Sequence, residues 1–144
     1  MRLARIFHAL VLLLVVLGCG VETPKNVTVT IEPASATIPV GTVLELRGNA
    51  TGFTDTPLVG WWVEETTRST YYCGTDYDER PPDSTSCPCG YVMFNKSDTG
   101  VPSRAYYHAP SVARTCHVRF EAIQYYNYEV KAMQNARAEY TVTP

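Results

Sequence analysis

A chain of 144 residues has room for one domain of ordinary size, because domains cluster near about 100–150 residues and a single core is the default at that length. Lys+Arg 12 nearly balance Asp+Glu 14, and a formal charge of −2 leaves no basic surface large enough to displace counterions, which argues against a nucleic-acid partner. An apolar share of 45% with ten Tyr and two Trp excludes a disordered chain and predicts a buried core.

The first eighteen residues differ from the rest. Arg2 and Arg5 precede the uninterrupted apolar run Ala9–Leu17, which closes on Gly18 and Cys19. That is the form of a signal peptide over residues 1–18, positive end first and small residue last. The run is too short to cross a hydrocarbon layer of roughly 30 Å as a helix, which needs about 20 residues, so cleavage is expected rather than a permanent span. Val16, Leu17, Gly18 and Cys19 resemble the bacterial lipobox, whose cysteine is acylated and becomes the new N-terminus. The resemblance implies a membrane partner reached through lipid (palmitate or a related acyl chain) on Cys19. Ordinary secretion with an unmodified Cys19 is the alternative. Gly20 stands where an inner-membrane retention aspartate would be, so the same resemblance implies the outer membrane or cell surface.

Residues 19–26 read as the lipidated N-terminus and a linker, and residues 27–144 as one all-β domain. Val27, Val29 and Ile31 alternate with Thr28 and Thr30, Pro33 interrupts, and Ile38 and Val40 resume before a turn at Gly41. This is a first strand that bends between two sheets at a residue unable to donate to a ladder. Leu44 and Leu46 alternate with Glu45 and Arg47, and Val59, Trp61 and Val63 with Gly60 and Trp62, as half-buried strands do. Beyond Glu65 the pattern stops for about 25 residues, which predicts a long loop. Alternation returns at Tyr91–Phe94, at Ala105–His108 and at Thr115–Ile123, where Cys116, Val118, Phe120 and Ala122 share a face. Ala138, Tyr140 and Val142 point inward from a last strand. About seven short strands result, the count of an immunoglobulin-like sandwich.

The opening VTVTIEPASATIPVG at 27–41 is similar to the first strands of bacterial immunoglobulin-like (Big-type) domains found in surface and adhesion proteins. VGWWV at 59–63 matches their third strand with its buried tryptophan, and Tyr107-His108-Ala109-Pro110 resembles their turn. Together these cover most of residues 27–143. The cysteine-containing insertion at 66–89, after the third strand, and a longer segment Gln124–Asn135 before the last strand depart from the family. The resemblance implies an immunoglobulin-like β-sandwich and says little of a ligand, since that architecture hosts many functions.

Four cysteines follow Cys19. An even set in an exported chain predicts two disulfides among Cys73, Cys87, Cys89 and Cys116. Zinc is the competing reading, and the single residue between Cys87 and Cys89 fits it poorly. In the implied fold the start of the sixth strand, at Cys116, lies beside the end of the third, where the insertion begins. A bond between Cys87 and Cys89 would be strained, so Cys73 and Cys116 are expected to pair with one each of them, in either order. Asp76, Asp78, Glu79 and Asp83 read either as calcium ligands or as a solvated acidic loop. His108 and His117 belong to no nucleophile or zinc-protease motif, and alternation puts His117 on the solvent side of its strand. No catalytic residue, cofactor or resident metal is expected.

Aromatic residues remain. Trp61 shares the core face with Val59 and Val63, which leaves Trp62 on the opposite one. Tyr125, Tyr126 and Tyr128 cannot all point inward from a strand or turn. Together with Trp62 they are the candidate ligand-binding residues, for a glycan or a protein, because rings supply contact area at small entropic cost. The competing reading has the tyrosines capping the core. The expectation is a non-enzymatic surface or envelope lipoprotein with an adhesion, structural or complex-assembly role. The alternatives are a glycan- or protein-binding module using the Tyr125–Tyr128 end, and a metal-handling accessory lipoprotein.

Overall fold

The computed structural model describes residues 26–66, 73–76, 82, 85–97 and 100–144. The signal segment, Cys19 and most of its linker, and the acids Asp78, Glu79 and Asp83, lie outside the described residues. Among the described residues nine strands alternate with turns: β1 (Thr28–Glu32), β2 (Ser35–Pro39), β3 (Val43–Thr51), β4 (Leu58–Val63), β5 (Gly74–Asp76), β6 (Tyr91–Phe94), β7 (Ser103–His108), β8 (Arg114–Tyr126) and β9 (Glu129–Thr143). They form two sheets, β1-β3-β7-β6-β5 and β2-β9-β8-β4, packed face to face as an immunoglobulin-like sandwich.

The first strand divides at Pro33 as its sequence requires. β1 runs antiparallel to β3 in one sheet, and β2 crosses to run parallel to β9 in the other. Two strands more than the expected seven arise from this division and from β5, a three-residue strand parallel to β6 inside the insertion. The segment Gln124–Asn135 is also strand, apart from the turn at Asn127 and Tyr128. β8 and β9 continue as a long hairpin, with one irregularity in register at Gln124 and Tyr125.

Alternation sets the core. Cys116, Val118, Phe120 and Ala122 of β8 are fully buried, as are Ala138, Tyr140 and Val142 of β9. Trp61 packs on Phe120 with ring centroids 4.5 Å apart, and its indole N–H donates to Ser103 Oγ at 3.0 Å. Gly48 of β3 makes room for this pair, since a Cβ there would lie 2.6 Å from Trp61 Cζ2. Tyr107 and Tyr140 stack with centroids 5.3 Å apart. Their hydroxyls donate to the carbonyls of Cys89 and Pro33, each at 2.8 Å, so neither buried oxygen is left unpaired.

Candidate functional site

The two ends of the sandwich carry different chemistry. At one end the insertion is stapled twice, Cys73 to Cys87 with Cα atoms 5.7 Å apart and Cys89 to Cys116 at 5.5 Å. Of the two arrangements left open by the sequence, this is the one formed. Cys116 lies beside the end of β4, where the Glu64 amide donates to the His117 carbonyl at 3.0 Å, and the Tyr107 hydroxyl fixes Cys89 next to it. With all four sulfurs paired, none of these cysteines offers a thiolate to zinc. Beside the staples a cleft of about 330 Å³ is lined by Pro82, Pro88, Tyr91, His108, Pro110 and Val112. The Tyr91 and His108 rings stack there at 4.6 Å, and burial lowers the His108 pKa.

A charged network covers the outer face of the β4-β8-β9 sheet next to that end. The two oxygens of Glu64 accept from Arg119 and, at 2.9 Å, from Arg137. His117 is held between Glu65, which bonds its Nδ1, and Glu139, 3.1 Å from its Nε2. Glu65 also accepts from the His117 amide at 2.9 Å. Burial pushes the Glu64 carboxyl up, but its bonds to the two guanidinium groups outweigh this and hold it below the ordinary carboxylate range. The bond to Glu65 raises the His117 pKa, burial opposes it, and Glu139 adds to the rise. Ligand atoms of Glu64, Glu65 and His117 lie within 4.8 Å of one another, which is close enough for a cation. Such a cation would have to displace Arg119 and Arg137 from Glu64 and compete with the bonds that His117 makes to Glu65 and Glu139. Glu64 is already bonded to two guanidiniums, and Glu65 and Glu139 to the His117 ring, so the group is best read as a closed network of ion pairs and hydrogen bonds.

Sequence alternation placed His117 correctly on the outer face, but as a solvated residue; its side chain is only 16% exposed. The glutamates that enclose it lie 52 and 22 positions away, separations that no local pattern registers. The adjacent acids Glu64 and Glu65 opposite the alternating His117, Arg119 and Glu121 were the available signal.

The far end belongs to the β8–β9 turn. Tyr125, Tyr126 and Tyr128 are exposed by 47%, 45% and 103% of their surface, so they do not cap the core. Asn127 and Tyr128 are the two turn residues and both have positive φ, 50° and 65°, as a two-residue type I′ hairpin turn needs. Val130 and Met133 of β9 and Leu58 of β4 are exposed beside them, with Leu58 opposite Ile123 and Ile123 opposite Met133. Trp62 does not join this group. It is half-buried on the outer face of β4, paired with Arg119, and it lines a cleft of about 480 Å³ with Gly60, Gly74, Phe94, Lys96 and Glu121. Six residues of β8 separate that level from Tyr125, roughly 20 Å along a strand.

No protein-family model matches this sequence, and no curated protein sequence matches it. Among solved structures, the chain is similar to one from a study of the structural basis of T cell specificity and activation by the bacterial superantigen toxic shock syndrome toxin-1. The TM-score is 0.50 and the identity 9%, with 82% of this chain and 100% of that chain covered. At such identity the likeness is one of fold alone.

Proposed function

We propose that this chain is an exported lipoprotein, acylated at Cys19, that holds a single immunoglobulin-like sandwich at the outer membrane or cell surface for adhesion, envelope structure or assembly of a complex, without catalysis. The observation that carries the reading is the pair of buried disulfides in a sandwich that follows a signal-like segment, since disulfides persist in oxidising compartments. The use of the polar side chains supports it too. Glu64, Glu65, His117 and Glu139 are committed to one another and to two arginines, as in a rigid scaffold.

Intact mass of the protein taken from envelopes tests the anchor. An acylated N-terminal cysteine is expected at position 19, together with release of the Cys19→Ser variant from the membrane fraction. A freely soluble protein with an unmodified thiol there would sink the proposal. Photo-crosslinking in intact cells from Val112, beside the disulfide cleft, tests the assembly role, with one defined adduct expected for a complex component.

A further inference from the structure

The place where the chain enters the sandwich decides which end meets the membrane. Thr28 pairs with Thr51, the last residue of β3, and Gly52 sits so close to Asn26 that a Cβ on it would lie 2.6 Å from the Asn26 carbonyl oxygen. From there the β3–β4 connection is tied to the base of the β8–β9 hairpin. Gln124 accepts from the Thr54 amide at 3.2 Å and donates to Asp55 at 3.1 Å, and Leu58 then pairs with Ile123. Asn26 and the tyrosine-bearing turn therefore share one end of the molecule, and the disulfides lie at the other.

Between Cys19 and the body of the domain stand residues 20–26, which fully extended span at most about 25 Å. The hairpin projects three residues beyond the level of Ile123, about 10 Å at strand rise. The projection is shorter than the tether. From this geometry we infer that the β8–β9 turn docks on the lipid bilayer that holds the anchor, with Tyr125, Tyr126 and Tyr128 at the headgroup interface. The inference rests on the proposed acylation of Cys19.

The chemistry of the tip agrees with that occupant. Tyrosine suits a membrane–water boundary because one end of its ring is apolar and the other wet. Here three tyrosines are joined by exposed Val130, Met133 and Leu58. Glu129 and Lys131 form an ion pair with each other at 2.8 Å, so the turn offers no net charge and the contact draws on apolar surface rather than on anionic lipid. Tyr128 is itself informative. Its φ of 65° is a conformation that favours glycine, yet the position carries a ring that touches nothing in its own domain. A short tether raises the effective concentration of the tip at the bilayer to the millimolar range, roughly, so a contact weak in free solution suffices.

The test uses the full acylated chain in phosphatidylcholine vesicles, its acylation verified by mass and its attachment by flotation. Tyr128→Trp adds a reporter at the tip, and Val112→Trp adds one at the disulfide end, where Val112 is also exposed. Lipids brominated near the headgroup should quench and blue-shift the added emission of Tyr128→Trp and leave that of Val112→Trp unchanged, with little response to salt. Equal, solvent-like emission at both positions in floated, acylated protein would overturn the docking and leave the anchor intact. Capture of a soluble glycan or protein by an unquenched tip would replace the bilayer with that partner. An unmodified Cys19 would remove the anchor and the docking together.

Discussion

Trp61 and Trp62 are neighbours in sequence with opposite surroundings, and the difference is measurable. Truncating Trp61, which is buried against Phe120 above Gly48, should destabilise by about 3–5 kcal/mol in urea unfolding, while Trp62→Ala should cost about 1 kcal/mol or less. A reversed order would mean that the register of β4 is wrong by one residue. His117 sets a pH dependence with a definite sign. Its folded-state pKa is raised above the ordinary 6.5, so the stability from its bonds to Glu65 and Glu139 is complete below about pH 6.5 and is lost as pH rises through the folded value. Thermal melts should show a decline in Tm above pH 6.5 that His117→Gln flattens. Glu64, lowered by its arginines, acts in the other direction: its contribution is present above its ordinary value of 4.5 and disappears on acidification through the lower folded one.

The β8–β9 hairpin and the stapled insertion respond to opposite kinds of change. Tyr128→Gly would place the favoured Asn-Gly pair in the turn and relieve a positive φ, so it should stabilise by about 0.5–1 kcal/mol in chemical denaturation. Replacing all three tyrosines with Ser should leave stability within about 1–2 kcal/mol of the parent, because the rings are exposed. At the other end, replacing Cys89 and Cys116 together with Ala releases a loop closed over 27 positions and should cost about 3–4 kcal/mol by the chain-entropy account. The loss should be accompanied by faster proteolysis within the insertion, since Cys89 is also where Tyr107 holds it to the core.

For the whole molecule, the placement of both ends follows from topology. One crossing along β1 and β2 and a second back along β3 return the chain to the end where Asn26 enters, so that the entrance, the β3–β4 connection and the β8–β9 turn lie together. On the proposed docking, lipid at Cys19 would turn the disulfide end and its proline-lined cleft away from the bilayer. The two ends are joined by a continuous hairpin, so their orientation is rigid rather than left to a flexible loop. Limited proteolysis of vesicle-bound protein should accordingly cut first at the insertion end and spare the turn.

Period-two alternation in 115–123 and 138–142, the proline break at Pro33 and the even set of cysteines were sufficient for the sandwich, its buried faces and its two disulfides, because each is a local or compositional signal. The strand β5 was hidden, since three residues give no period to detect. The extension of β8 and β9 through Gln124–Asn135 was hidden as well, because two exposed faces at the tip remove the apolar alternation that marks a strand. Whether Cys73 met Cys87 or Cys89, the enclosure of His117 by Glu65 and Glu139, and the separation of Trp62 from the tyrosines all depend on residues 14 or more positions apart. Only tertiary structure decided them, because the pairing of distant strands, and not any local preference, determines which side chains share a face.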